Sequence, residues 1–437
     1  MSRLLVKDAW LVDGAGDHGR ADVTIEDGVI RGVGTDAAAG FRAARTVEAA
    51  GRLLTPAFLD LHAHLREPGQ EVKEDLASGL AAAAAGGYGT VVSMANTDPP
   101  VDEPGLVTSL VRKAAGLGRA RLRPAAALSH GLRGEVLTDF GALQAAGAVM
   151  ITDDGIPVTN GRLMRSACQY AADLGLVVQT HSEDPSLRAG GVMNEGAVSQ
   201  ALGLPGNPDA AEAVMVFRDC EMARLTGARV HIAHVTCMRA MQVIEQFKGM
   251  GVPVTCEVTP HHLTLSDAAL SGFDPVFKVA PPLRSDADVA YLREAIKRGV
   301  VDSIGTDHAP HTRAEKERDL LSAPFGLPNI EVAFPLLYTE LVVPGALPVA
   351  ELLRLLQDGP AAVMGWPAPR LAVGAPADVT LLDLESERPV DPETFLSKAR
   401  FSPWTGRALR GWPTLTLVAG EVAFDREVPD RSDAASG

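Results

Sequence analysis

Residues 58–69 read Phe58-Leu59-Asp60-Leu61-His62-Ala63-His64-Leu65-Arg66-Glu67-Pro68-Gly69, which puts two histidines at the end of an apolar run. The run has the length and composition of a buried strand. Residues two apart on a strand point to the same face, so His62 and His64 share a target. By itself this pair is weak evidence, because two ordinary polar residues at a strand end would look the same.

The pattern of an apolar run followed by a helical segment repeats through residues 55–365, which is typical of βα units on a parallel sheet. Eight such units fit an α/β fold of the (β/α)8 TIM-type barrel class, whose catalytic groups lie at the C-terminal ends of the strands. The eight predicted strands are Phe58 to His64, Thr90 to Ala95, Leu122 to Leu128, Ala148 to Thr152, Leu176 to His181, Arg229 to His234, Val252 to Val258 and Val301 to Thr306.

Both ends of the chain are rich in β-strand signals. Asp27-Gly28 between alternating apolar runs predicts a hairpin, and similar runs return at 377–383 and 415–422. Because chain termini often lie close together, we predict a small discontinuous β-sandwich domain from residues 1–55 and 366–428. The barrel then spans 56–365, and residues 429–437 form a flexible tail.

The composition is that of a folded protein: of 437 residues, 46% are hydrophobic and 22% are charged. The formal net charge of −15 disfavours nucleic acid and anionic membranes as partners, and favours a small-molecule substrate. Four cysteines without a Cys-x-x-Cys pair indicate neither disulfides nor a cysteine metal site. With no signal-peptide pattern and no membrane span in the sequence, we expect a cytoplasmic protein.

Further ligand-type side chains follow other predicted strands. Asp153-Asp154 follow the fourth strand, His181 and His234 end the fifth and sixth, and Asp307 follows the eighth. Five of eight strands therefore deliver nitrogen or oxygen ligands to one rim, which suits one or two Zn²⁺ or similar divalent ions.

The remaining histidines carry weaker signals. His231 lies three residues before His234, on the opposite strand face, and we interpret it as structural. His261 and His262 follow the seventh strand, and we expect them at the rim of the barrel mouth.

Four motifs together resemble the amidohydrolase superfamily, and within it the dihydroorotases, over nearly the whole chain. They are Asp60 to Gly69, Met94-Ala95-Asn96-Thr97-Asp98-Pro99, Thr152-Asp153-Asp154-Gly155 and Gly305-Thr306-Asp307-His308-Ala309-Pro310-His311. The resemblance implies that His62, His64 and Asp307 bind one metal ion and that His181 and His234 bind a second.

In the branch that this sequence resembles, an aspartate at the position of Asp154 bridges the two ions. Many relatives bridge them with a carboxylated lysine near the fourth strand, but no lysine lies between Lys113 and Lys248. Asp154 is the candidate that is left, with Asp153 as the alternative. Adjacent residues of an extended segment point to opposite sides, so we expect only one of the two to be a ligand.

The resemblance also implies a reaction: the reversible hydrolysis of (S)-dihydroorotate to N-carbamoyl-L-aspartate, with Asp307 as the proton carrier. Arg66, on the same strand face as His64 if the strand continues, suits a substrate carboxylate. By resemblance, Asn96 and His311 complete that carboxylate site.

The same resemblance places Phe325 and Gly326 near the substrate, on a loop over residues 312–327 that we predict to be mobile. Ala280 stands where this branch commonly has an asparagine that contacts the pyrimidine ring. Either a backbone group or water replaces that contact, or the substrate affinity is lower.

Two alternatives stay open. A hydantoinase- or allantoinase-like amidase would share the metal chemistry but prefer a neutral ring. A catalytically silent partner of aspartate carbamoyltransferase is a weaker alternative, because silent copies typically lose ligands and this chain keeps all six. By resemblance we expect a homo-oligomer that is able to associate with aspartate carbamoyltransferase.

Overall fold

Eight parallel strands form the centre of the molecule in a computed structural model, which describes residues 3–427. Each strand pairs with the next one along the chain. They are Phe58–Ala63, Tyr88–Ser93, Arg121–Ala127, Met150–Thr152, Val177–Thr180, Arg229–Ile232, Val254–Val258 and Ser303–Ile304. Every strand predicted for the barrel is therefore present, with bounds that differ by a few residues.

The ring closes between the last strand and the first just beyond the regular ladder. The Asp307 N–H donates to the carbonyl of His62, and the His64 N–H donates to the carbonyl of His308, both at 2.8 Å. A parallel bridge joins Ala63 to His308. The predicted α/β barrel class is confirmed, and the closing bonds run through three of the predicted site residues and a neighbour.

Helices connect the strands, and several start at a side-chain cap. Asp75, for example, accepts the Ser78 N–H at 2.8 Å in a capping box before an alanine-rich helix. The helices are Leu76–Ala85, Pro104–Ala115, Phe140–Ala146, Gly161–Leu174, Pro185–Arg188, Ala197–Leu202, Asp209–Thr226, Met238–Gly249, Pro260–Thr264, Asp286–Lys297, Arg313–Lys316, Ala333–Leu337, Val349–Leu356 and Asp358–Met364. Among residues 3–427, none of them has the length and apolar character needed to cross a membrane.

A second sheet combines strands from both ends of the chain, as predicted. Asp27 and Gly28 both have positive φ, 51° and 78°, which matches the tight hairpin turn expected there. The strands are Arg3–Asp13, Gly16–Glu26, Val29–Gly34, Arg45–Glu48, Leu53–Pro56, Val379–Asp383, Trp412–Val418 and Glu421–Asp425. They hydrogen-bond as one eight-stranded sheet, and one buried cluster includes side chains from both chain ends.

Residues 384–411, between two C-terminal strands of this sheet, pack against loops of the barrel. Phe395, Phe401 and Trp404 are buried against Val279 and Leu327 of the barrel loops, in a cluster of their own. The proposed boundaries at 55/56 and 365/366 stay predictions, and the predicted tail 429–437 lies outside the described residues.

Phe58 packs the start of the first barrel strand against two other aromatic side chains. Its side chain is fully buried, with the ring of Phe334 stacked at 5.0 Å between centroids and Tyr88 edge-on at 5.5 Å. Aromatic contacts of this kind add to the burial of a large apolar surface. Phe58 therefore anchors the strand that carries the His-x-His pair.

We expect Phe58→Ala to lower the free energy of unfolding by about 3–5 kcal/mol, because it leaves a cavity between two rings. Phe217→Ala is the matched control, since Phe217 is 49% exposed, and its cost is expected near 1 kcal/mol. Chemical denaturation followed by fluorescence compares the two variants. Equal losses would contradict the anchoring role of Phe58.

Candidate functional site

Asp154 stands at the centre of a cluster of histidines at the C-terminal end of the barrel. Its Oδ1 lies 3.3 Å from His62 Nε2, 3.5 Å from His181 Nδ1 and 3.6 Å from His234 Nε2. Its Oδ2 lies 3.6 Å from His64 Nε2. Two groups with the geometry to hold a metal ion share this carboxylate, namely His62, His64 and Asp154, and Asp154, His181 and His234.

Asp307 completes the set of six predicted ligands. Its Oδ1 lies 3.0 Å from His64 Nε2 and 3.6 Å from His62 Nε2, on the side of the first group. The backbone φ is positive at Asp307 (46°) and at His234 (35°), a conformation that non-glycine residues adopt at a cost. The structure thus brings all six side chains together, two of them on strained backbone.

The charges in this cluster favour a cation. Burial lowers the pKa of His62, but the charges of Asp154 and Glu257 outweigh burial and raise that pKa well above its usual value. His181 behaves in the same way, and its pKa is raised to about 10 by contacts with Asp154 and Glu183. Burial raises the pKa of Asp154, yet the surrounding histidines lower it well below its usual value. The centre therefore stabilises positive charge.

The donor set fits a divalent metal. His62 Nε2 is buried and makes no hydrogen bond within residues 3–427, although it points at the centre of the cluster. His234 Nε2 and His181 Nδ1 lie 2.9 Å apart, so the two ring nitrogens have at most one proton between them. Imidazole nitrogens and carboxylate oxygens are the ligands expected for zinc and similar ions.

Glu257, which sequence reasoning missed, orients His62 from behind. His62 Nδ1 donates to Glu257 Oε1 at 2.7 Å, and His231 Nε2 lies 3.2 Å from Glu257 Oε2. All three side chains are fully buried. A carboxylate behind a histidine fixes the ring so that its other nitrogen faces the metal position. His231 is thus structural, as interpreted, and acts through Glu257.

Asp153, the alternative to Asp154, points away from the cluster. Its carboxylate accepts the His181 N–H at 2.9 Å and the Val158 N–H at 2.8 Å. Asp60 has a similar role on the first strand, where it accepts the His62 N–H at 3.0 Å and the Thr306 hydroxyl at 2.6 Å. Both acids hold backbone next to a candidate ligand rather than facing the centre.

Arg66 lies beside the cluster in the lining of the same cavity, with His311 next to it. Arg66 Nε donates to the carbonyl of Pro310 at 3.1 Å, and its Nη2 lies 3.3 Å from His311 Nε2. His311 Nε2 donates to the carbonyl of Phe325 at 2.7 Å. Burial lowers the pKa of Arg66 to about 10, so the guanidinium stays charged at neutral pH.

Asn96 contacts the ligand cluster directly. Its Oδ1 accepts the His64 Nδ1 proton at 2.9 Å, and its Nδ2 donates to Asp154 Oδ2 at 3.3 Å. The structure therefore shows Asn96 orienting His64, a contact that the sequence did not indicate. Its predicted place in a carboxylate site stays a prediction.

A cavity of about 170 Å³ opens over these groups. That volume suits a small ring. The residues that line it are His64, Arg66, Asn96, Asp154, Gly155, His181, Arg188, His234, Ala280, Asp307, Ala309, Phe325 and Gly326. Arg188 was missed by sequence reasoning, because it belongs to no motif and reaches the cavity only through the fold.

Two lysines, one of them within the loop itself, bond the backbone of residues 312–327. Lys316 Nζ donates to the carbonyls of Pro324 and Gly326 at 3.1 and 2.8 Å, and Lys278 Nζ donates to that of Ala323 at 2.7 Å. These bonds fix the backbone around Phe325 as one wall of the cavity. Mobility of the loop stays a prediction.

His261 and His262 do not lie at the rim, and that prediction is wrong. Both are buried, at 0% and 2% exposure, and neither lines the cavity. Thr259 caps a short helix, Pro260–Thr264, which turns the chain inward after the seventh strand. His262 then donates through Nε2 to the carbonyl of Pro281 at 3.1 Å.

The barrel and its cluster of histidines and aspartates define an amidohydrolase-type architecture. The L-hydantoinase (dihydropyrimidinase) from Arthrobacter aurescens superposes with a TM-score of 0.87 at 25% identity, over 98% of this chain and 97% of that one. The model of the Dihydro-orotase-like family matches residues 51–239.

Two curated relatives narrow the assignment. A dihydroorotase of Deinococcus radiodurans is 55% identical over 94% of this chain and 97% of its own length. A dihydroorotase of Thermus aquaticus is 51% identical over 97% of this chain and 99% of its own length. The chain belongs to the dihydroorotase family.

We expect Glu257→Gln to weaken the affinity for divalent metal about 10- to 100-fold, because His62 loses the charged partner that orients it. Competition with a chelator, followed by metal analysis, measures this affinity. Glu245→Gln is the control, since Glu245 is paired with Arg298 at the surface at 3.0 Å. Unchanged metal affinity in the Glu257 variant would refute the orienting role.

Proposed function

We propose that this protein catalyses the reversible hydrolysis of (S)-dihydroorotate to N-carbamoyl-L-aspartate, whose reverse is the ring-closing step of pyrimidine synthesis. The observation that carries the proposal is that Arg66 and five of the six candidate ligands line one cavity of about 170 Å³, with the sixth, His62, against Asp154. Family membership, with relatives named dihydroorotase at 55% and 51% identity, supports it.

His62, His64 and Asp307 would hold one Zn²⁺, and His181 and His234 a second, with Asp154 shared between them. Zinc, when bound, lowers the pKa of water and polarises a carbonyl, which is what hydrolysis of a cyclic amide requires. Support comes from the unpartnered His62 Nε2 and from the shared position of Asp154.

Asp307 is the proton carrier in this proposal. Its carboxylate faces the cavity beside His64, and burial would raise its pKa were it not for the hydrogen bond with His64 and the charge of His62, which lower it. A carboxylate in that position accepts a proton from the attacking water and returns it to the leaving ring nitrogen.

Arg66, Asn96 and His311 would receive the substrate carboxylate. An arginine forms bidentate, charge-assisted hydrogen bonds to a carboxylate, and the Arg66 guanidinium keeps this ability because only its Nε is bonded to a backbone carbonyl. Phe325, Gly326 and the backbone of Ala280 would line the ring, since all three face the same cavity.

We also propose a homo-oligomer in the cytoplasm that is able to associate with aspartate carbamoyltransferase, as the family resemblance implies. A scaffold without activity is disfavoured, because all six candidate ligands are present and converge. A hydantoinase-like amidase shares the fold but has no need of a buried arginine in the cavity for a neutral ring.

The direct test is turnover by the purified, zinc-supplemented protein on dihydroorotate, dihydrouracil, hydantoin and allantoin, with a chelator-treated sample as control. We expect metal-dependent turnover of dihydroorotate in both directions and at least about 100-fold lower kcat/KM on the neutral rings, which lack the carboxylate that Arg66 binds. Faster turnover of a neutral ring would favour the amidase.

Asp307→Asn should lower kcat on dihydroorotate by about 10²- to 10⁴-fold, because the amide cannot carry the proton. Stopped assays over long times measure the residual rate. Asp173→Asn, at an exposed helix position, is the control. Activity within about threefold of wild type would remove Asp307 as the proton carrier.

Arg66→Ala should lower kcat/KM on dihydroorotate about 10- to 100-fold, the cost of losing a charge-assisted hydrogen bond. For dihydrouracil, kcat/KM as a substrate, or the inhibition constant as a competitive inhibitor, should change by less than about threefold. Arg162→Ala, an exposed arginine, serves as control. Equal losses with both rings would rule out the carboxylate role.

A further inference from the structure

Arg188 is a cavity residue to which the proposed chemistry gives no role. It ends the short helix Pro185–Arg188, just after the fifth barrel strand, and its side chain is 28% exposed. It lines the same cavity as Arg66 and the ligand cluster. In a small cavity, a second guanidinium adds a charged hydrogen-bond donor and so affects which substrates bind.

Two contacts hold the Arg188 guanidinium in place. Its Cζ lies 4.6 Å from the centre of the Phe325 ring, a cation–π distance. Its Nη1 lies 3.2 Å from Glu183 Oε2, and Glu183 is itself buried and accepts the Asn207 amide at 2.7 Å. Within residues 3–427, the Nε and Nη2 groups make no hydrogen bond to protein. Arg188 is thus oriented and still has free donors.

The role of Arg188 follows from matching the hydrogen-bond acceptors of the substrate with the donors of the cavity. Dihydroorotate offers three polar acceptors: the scissile carbonyl, the carboxylate and the ureide oxygen between the two ring nitrogens. In the proposed function, the ligand cluster takes the first, and Arg66, Asn96 and His311 take the second.

Two backbone donors on the cavity wall are already used. The Gly326 N–H donates to the carbonyl of Lys278, and the Ala309 N–H donates to that of Leu327, both at 2.9 Å. Ala280 has no polar side chain to offer. Arg188 is the side-chain donor on the wall that is left for the third acceptor.

We infer that Arg188 binds the ureide oxygen of dihydroorotate and of N-carbamoyl-L-aspartate, and so selects ureide-containing acids. The inference rests on the proposed function and adds a specificity residue to it. Phe325 and Glu183 are then positioning residues, since they act through the guanidinium. The same hydrogen bond would form in both reaction directions, because the ureide survives ring opening.

The test compares dihydroorotate with its 2-thio analogue, in which a sulfur atom replaces the ureide oxygen and is a weak acceptor. Wild type should prefer the oxygen substrate. In Arg188→Met, kcat/KM for the oxygen substrate should fall about 10-fold or more, while the thio analogue changes by less than about threefold. The ratio between enzymes cancels the intrinsic reactivity of the two compounds.

Arg188→Lys keeps a charged donor and should give an intermediate ratio. Arg188→Ala provides a second removal of the donor if the Met variant does not fold. Arg224→Met is the matched control, because Arg224 is exposed and paired with Glu221 at 2.7 Å, and both substrates should keep wild-type values. Metal content and thermal melting verify each variant.

The outcomes separate the two proposals. A wild-type protein that does not turn over dihydroorotate refutes the proposed function, and this inference with it. An active wild type whose oxygen-to-sulfur ratio is unchanged in Arg188→Met and Arg188→Ala overturns the role of Arg188 alone.

Discussion

A single buried carboxylate, that of Asp154, is the constraint on which the rest of the site depends. Four imidazole nitrogens surround it at 3.3 to 3.6 Å. A charged group in this position is costly unless it is paired, so the carboxylate and the histidines require one another. Because the four histidines come from three different strands, the arrangement exists only when the barrel has closed.

Three buried carboxylates hold the candidate ligands in position once the barrel has closed. Glu257 orients His62, Asp153 holds the backbone of His181, and Asp60 ties the backbone of the first strand to Thr306 after the last. Each of these carboxylates has its partners fixed by the barrel. The proposed metal ligands are therefore held in place by hydrogen bonds to the protein itself, which is the support that metal catalysis needs.

The sequence predicted the ligand set because the barrel fold converts a local pattern into a spatial one. A polar residue at the end of each apolar run lands on a common rim, and the two-residue spacing of His62 and His64 selects one face. Glu257 lies inside an apolar strand without a neighbouring motif, so its role was not visible. A sign was nevertheless present, since an ionisable residue in a buried strand requires a partner.

Arg188 and the buried pair His261 and His262 were beyond sequence reasoning for another reason. Their positions depend on how connecting loops turn. Loop direction is set by local caps, such as Thr259 with His262, and by long-range contacts, such as His262 with the carbonyl of Pro281. The two-part terminal sheet was easier to predict, because both chain ends carry strand-like apolar runs and strands need hydrogen-bonding partners.

The most direct test of the account is a crystal structure of the zinc-loaded protein, with the metal positions located by anomalous scattering. We expect the ions to lie within about 2.0–2.3 Å of the donor atoms of the six side chains, with one Asp154 carboxylate serving both groups when two ions are present. Metal bound elsewhere, or an ion at this centre that Asp154 does not contact, would contradict it.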